Sequence, residues 1–368
     1  MRHRCYNPRF DFTRLICSTA LLLLAALSSP AQACMVCIPF PEGTAIDDLL
    51  DADAVVLARE NPHKPFSYVA IETLRGELED PAIDLFVNSS TRRRLSLDPD
   101  YAMVLVRLRN SRPSQPGERY QWRSIGFASD DYEAIVRATL KNAATWQSPG
   151  GDEHRYDYFM RRLASNELEV QKLAYLEVGK APYEVIRRAD AFVDSARVHA
   201  FLADPLYLEW RRLYILLLGV DASATDAAIV RETLQNLAYF DRTLNLSAWA
   251  TALIEVDGEA GIEWLEKQYV GNPGRAQDRV LETLKALSTQ GSVPLSPLRL
   301  RIVESYRLLL ETHPQLAGWI ARDLVSWQEW QLAEALADLR ADNIALDGPS
   351  GFAIDYYLGR ARHLGKLP

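Results

Sequence analysis

The stretch YQWRSIGFASDDYEAIVRATLKNAATW, residues 120–146, holds the change of pattern that decides the fold. Its first part, Tyr120 to Phe127, is short and strand-like. After Phe127 the period turns helical. Asp130 and Asp131 stand as an N-cap signal, and Ile135, Val136 and Leu140 recur at helical spacing within Tyr132 to Trp146. A helix buries one face with apolar residues three or four apart, and a strand does so with every second residue. The chain before this point reads as strands, and the chain after it as helices.

Working back from it, four more strand-like runs appear. Ala54 to Ala58 (AVVLA) is a brief apolar run, and Phe66 to Leu74 (FSYVAIETL) mixes aromatic and β-branched residues. Ile83 to Val87 and Tyr101 to Leu108 (YAMVLVRL) follow. Turn-rich pieces separate them: Asn61 to Pro65, Arg75-Gly76, Asn88 to Arg94, and Ser111 to Gly117. Pro and Gly there stop strand pairing and set turn geometry. Five strands in so short a span predict a small OB-like β-barrel, closed or partly open. The one basic run, Arg92, Arg93 and Arg94, falls between two predicted strands. It reads as a solvated loop or as an anion or acidic-partner contact on the barrel rim.

Working forward, Gln147-Ser-Pro-Gly-Gly151 is the best linker in the chain. Beyond it the pattern predicts amphipathic helices at 167–178, 207–218, 226–239, 262–270, 275–287, 298–311, 330–339 and 352–362. Three of the segments close on valine after an apolar cluster: Ala174 to Val178, Ile215 to Val220, and Ala252 to Val256. The valines lie 42 and 36 residues apart. That period suits HEAT-like helix pairs, whose repeat is roughly 40–47 residues. Trp319, Trp327 and Trp330 cluster near the end. Aromatics at helical spacing pack in cores, and they also build partner-binding platforms.

The first 33 residues have another character. Arg2, Arg4, Arg9 and Arg14 precede an apolar run from Leu15 to Leu27, then Pro30 and Ala31-Gln32-Ala33. A positive start, a short apolar stretch and an A-x-A end are the parts of a secretory signal, with cleavage between Ala33 and Cys34. No later run approaches the roughly 20 apolar residues of a membrane span. Without the signal the chain keeps 37 basic and 48 acidic residues, a net charge of −11. Such a balance disfavours nucleic acid, whose phosphates demand clustered Lys and Arg. Only Cys34 and Cys37 survive cleavage. They admit three readings: a local disulfide in an oxidising compartment, lipidation of Cys34, or a redox or metal CxxC. The disulfide is the simplest, because Pro39 and Pro41 stop a helix after Cys37 and two cysteines alone do not complete a zinc site.

Cys34-Met-Val-Cys37-Ile-Pro39-Phe-Pro41, then Ala52 to Arg59 (ADAVVLAR) and Val69 to Gly76 (VAIETLRG), resemble the netrin-like module. This is the OB-type barrel also used by tissue inhibitors of metalloproteinases. The resemblance spans residues 34–127. It implies a barrel whose first residue is a cysteine exposed by signal cleavage. In the inhibitors that cysteine's amino group and carbonyl chelate the protease zinc, and Cys34 stands at the matching position. The spacing here is C-x-x-C rather than C-x-C, and the family's downstream cysteines are absent.

No catalytic motif stands out. The six histidines form no H-E-x-x-H, and Gly348-Pro-Ser-Gly351 fails the G-x-S-x-G spacing. The sequence therefore predicts an α+β multi-domain protein. Its parts are a signal (1–33), a five-stranded OB/netrin-like barrel (34–127), a helix and linker (128–150), and an all-α HEAT-like array (151–368). The expected function is non-enzymatic binding of a protein or peptide partner in the periplasm or outside the cell, with no cofactor. Arg92, Arg93, Arg94, Trp319, Trp327 and Trp330 are the candidate contacts. Metalloprotease inhibition through Cys34 and an enzyme with an unrecognised site are the alternatives.

Overall fold

The computed structural model describes residues 43–98, 100–110, 119–220, 222–342 and 346–367. The signal segment and the Cys34–Cys37 motif lie outside them, as does the 111–117 turn. From residue 43 onward a curled antiparallel sheet is followed by a helical array. Helix α1 (Ala45–Asp51) leads into β1 (Ala54–Glu60), β2 (Tyr68–Arg75), β3 (Ala82–Ile83), α2 (Ser89–Leu97), β4 (Ala102–Arg109) and β5 (Tyr120–Ala128). The strand order is β3-β2-β1-β4-β5. Edges β3 and β5 do not pair, so the sheet remains an open half-barrel. Bulges at Val55/Val56, Leu57/Ala58 and Val104/Leu105 curl it, because an extra residue on one strand bends and twists the ladder.

β1 lies at the centre, which is why AVVLA is apolar without alternation. Val55 and Leu57 face the helices, and Val56 and Ala58 face a second small core with Tyr68, Ile83, Val87, Met103 and Leu105. α3 (Asp130–Trp146) follows β5 and packs against it and α1. Its Tyr132 hydroxyl donates to the Ile125 carbonyl on β5 at 2.8 Å, and its Arg137 reaches Glu72 on β2 at 2.8 Å. The cap is Ser129, whose hydroxyl accepts the Tyr132 N–H, rather than the aspartates that follow it. Those lie in the first turn, where negative charge suits the helix dipole.

One sequence expectation changes here. Residues 88–94 are not a loop. Asn88 accepts the Thr91 N–H and starts α2, so Arg92, Arg93 and Arg94 sit on a helix. The 147–151 segment is a tight turn: a Cβ on Gly151 would lie 1.9 Å from the Thr145 carbonyl oxygen, and Trp146 packs on Tyr158 and Phe159 across it.

The array comprises helix pairs. They are α4 (Asp152–Met160) with α5 (Leu168–Val178), α6 (Ser195–Ala203) with α7 (Arg211–Gly219), and α8 (Ala224–Tyr239) with α9 (Leu246–Asp257). Next come α10 (Glu259–Leu265), whose continuation Glu266–Val270 packs on α11 (Gln277–Gly291), then α12 (Arg299–Thr312) with α13 (Ala317–Trp327), and α14 (Ala333–Ala341) with α15 (Gly348–His363). α7 packs on α9, α9 on α11, α11 on α13 and α13 on α15. The three valine-closed segments therefore end α5, α7 and α9, the second helices of consecutive pairs. Gly219 marks a close approach of α7 to α9, since a Cβ there would meet Ala252 at 2.8–2.9 Å. The expected helix 207–218 is divided at Trp210, where a 3-10 stretch from Pro205 gives way to α7. One apolar cluster runs from Ile46 on α1 through β1, β4 and α3 to Ala361 on α15.

A buried charge cluster ties α1 to the first helix pair. Glu177 is fully buried and Arg155 nearly so, 2.6 Å apart. Arg155 also pairs with Asp47 at 2.6 Å, Lys180 pairs with Asp47, and the Thr44 hydroxyl donates to Glu177. Burial alone would raise the Asp47 carboxyl. Hydrogen bonds from Lys180, the Thr44 backbone and Arg155 outweigh that and hold it near about 2.

Candidate functional site

The sequence Glu60-Asn61-Pro62-His63-Lys64-Pro65-Phe66 connects β1 to β2. Asn61 is buried and its side-chain Oδ1 accepts the His63 and Lys64 N–H groups at 2.9 and 3.3 Å, a local turn that asparagine favours. The turn delivers Phe66 with φ +63°, a left-handed conformation that costs a bulky residue about 1–2 kcal/mol. It is held from both sides. Its N–H donates to Glu60 Oε1 at 3.1 Å, and its carbonyl accepts the Val87 N–H at 2.9 Å.

The strained backbone presents an aromatic surface. Phe66 is 44% exposed and stacks on Phe86, which is 72% exposed, with centroids 6.1 Å apart and planes 13° from parallel. The Arg92 guanidinium from α2 lies 4.7 Å over the Phe66 ring. Arg92 is fixed by Glu60 Oε2 at 2.8 Å. Glu60 thus takes Phe66 with one oxygen and Arg92 with the other, and the Phe66 N–H, then Arg92, lower its carboxyl below the usual range. Two stacked rings beneath a neutralised guanidinium make a flat, apolar, weakly polarised platform. It suits an aromatic, proline or methyl-bearing side chain better than a bare anion.

Of the sequence candidates, Arg92 belongs to this platform. Arg94 packs inward, 4.0 Å over Phe127, and Arg93 is exposed with no ion pair among the described residues. The tryptophans each make ring contacts within the array. Trp327 is buried, stacks on Tyr306 at 5.6 Å and donates to Ser292 Oγ at 3.2 Å. Trp330 stacks on Tyr357 at 5.2 Å, and Trp319 lies half-buried under Arg322. Phe66 and Phe86 escaped the sequence reading because their pairing depends on β2–β3 register. A proline-flanked aromatic in a turn was the available signal.

Two other polar clusters lie within the helical array. His199 Nε2 lies 2.6 Å from Asp226, but Ser195 and Ser223 direct their hydroxyls to that same carboxylate rather than to the imidazole. No hydroxyl is activated by such a set. Asp323 on α13 accepts Tyr306 at 2.5 Å and Ser288 at 2.9 Å. Burial raises its carboxyl to about 6, against the lowering effect of those two donors. Among the described residues no group of three His, Cys, Asp or Glu is arranged to hold a metal, and no helix is long and apolar enough to cross a membrane. No family model, curated protein or solved structure matches the chain.

Proposed function

We propose that this chain is an exported, non-enzymatic binding protein of the cell envelope that holds a protein or peptide partner on its barrel rim. In this reading the β part is an OB-type, netrin-like barrel, supported by five strands and a partly open sheet. The helical part is a HEAT-like scaffold, supported by consecutive stacked pairs. The observation that carries the reading is the exposed Phe66–Phe86 stack on a strained backbone, fixed by Glu60 and Arg92. Strain at a surface aromatic persists only where the surroundings enforce it, and such sites concentrate at ligand clamps.

The test places a photo-crosslinking side chain at Phe86 in the full chain, expressed in its own envelope. A discrete adduct is expected. It should vanish when Phe66→Ala and Arg92→Ala are added, and be absent when the probe sits at exposed Lys141 instead. Equal adducts at both positions would contradict the reading.

A further inference from the structure

The aromatic platform stands at a free edge of the sheet. The Pro81 carbonyl accepts the Ala70 N–H at 2.8 Å, and Ile83 is the register partner of Tyr68 on β2. Beyond Ile83 the Leu85 N–H turns back to the Ile83 carbonyl at 2.9 Å, and the Val87 N–H donates inward to the Phe66 carbonyl at 2.9 Å. Asp84 and Phe86 alternate with these bonded residues. Their backbone N–H groups have no acceptor among the described residues. Sheet edges are ordinarily blunted by charge, proline or a covering element. The opposite edge, β5, is partly covered: Tyr132 of α3 takes the Ile125 carbonyl, and Asp48 of α1 holds Arg123 at 2.8 Å. On the β3 side Asp80 Oδ1 takes the Ala82 N–H at 2.8 Å, and the blocking stops there. The charge of Asp84 is neutralised by Lys64 at 2.9 Å.

The rings say what such an edge would accept. In strand order Phe86 lies outside Phe66, so their stack is a row of rings that crosses the sheet and ends at the edge, on a ring 72% exposed. A strand added there would lie about 4.8 Å further out. Its side chain opposite Phe86 would stand about 5 Å away, as the next member of the row. The two open N–H groups, on alternate residues, match the carbonyls along one edge of an extended chain. A helical partner keeps its carbonyls in its own bonds.

We infer that the partner is recognised as an extended segment, which adds as a strand along Asp84 to Phe86 and sets an aromatic side chain beside Phe86; this rests on the rim platform being the binding site. The test selects ligands for the full chain from a phage-displayed library of random peptides of about a dozen residues, and measures the tightest by calorimetric titration. It should carry an aromatic residue between β-branched ones. Methylating its backbone nitrogens on one set of alternate residues should abolish binding, and on the other set should spare it, because only one edge of an added strand is bonded. Asp84→Pro removes an edge N–H and should weaken binding at least about tenfold. Asp84→Ala removes only the exposed ion pair and should change it less than about threefold. A library that yields no binder, a methylation response without alternation, or undiminished binding to Asp84→Pro would overturn the inference. So would a chain that dimerises through this edge in place of binding peptide. Binding lost in Phe66→Ala/Phe86→Ala but kept in Asp84→Pro would leave the platform standing and remove strand addition alone.

Discussion

Phe66 is the residue at which structure and function separate most cleanly. A phenylalanine selected for packing would sit in a relaxed backbone and lose stability on truncation. One held at φ +63° on the surface stores strain that glycine would relieve. Phe66→Gly should therefore leave stability unchanged or raise it by up to about 1 kcal/mol in urea unfolding, while abolishing the Phe86 crosslink. A loss above about 2 kcal/mol would make Phe66 structural. Asp323 gives a second test at this scale. Its folded carboxyl titrates at about 6, above the ordinary 3.8. The folded state thus keeps a proton that the unfolded chain has lost, and stability contributed by this group falls as pH rises from about 4 to about 6. Across that window the penalty approaches roughly 3 kcal/mol. Asp323→Asn should remove that slope, seen as a pH-dependent difference from wild type. Parallel stability curves would show that Asp323 does not titrate there.

Elements were legible in the sequence where one physical cause dominated. The runs AVVLA and AMVLVRL announced strands because central strands must be apolar on both faces. DDYEAIVRATL announced a helix because its apolar residues share one face. α2 was hidden: SSTRRRLSL has few apolar residues and begins with turn formers, so the Asn88 cap looked like a loop. The helix division at Trp210 was equally hidden, because it follows the stacking of Trp210 on Tyr175 at 5.5 Å from a different helix pair. The Arg75-Gly76 turn was found for its sequence, and the structure supplies its reason. Arg75 donates to the Leu49, Leu50 and Ala52 carbonyls at the end of α1, where Gln147 also donates to Leu50. Gly76 has φ +79°, and a Cβ there would lie 2.3 Å from the Asp53 oxygen. Gly76→Ala should cost more than about 2 kcal/mol, measured by chemical unfolding. A loss within error would show that the turn relaxes freely.

At the scale of the molecule, α1 is joined to the array through the Asp47–Arg155–Glu177 cluster. This contact was invisible in the sequence, since its members lie 108 and 22 residues apart. Arg155→Ala would leave Glu177 charged and buried, with Lys180 the remaining cation beside it. A loss of about 3–5 kcal/mol is expected, and Arg155→Met with Glu177→Leu should recover much of it. If the double variant is as unstable as the single one, the cluster acts through shape and not charge. Arg92 was singled out from its sequence, whereas its partners Phe66 and Phe86 needed the folded register. The central claim is that this rim platform holds the partner, and the most direct test is calorimetric titration of the crosslinked partner, once isolated, onto the chain. The platform account predicts that Phe66→Ala/Phe86→Ala weakens binding by about 2–4 kcal/mol with an unchanged melting temperature. Wild-type affinity in that double variant would contradict it.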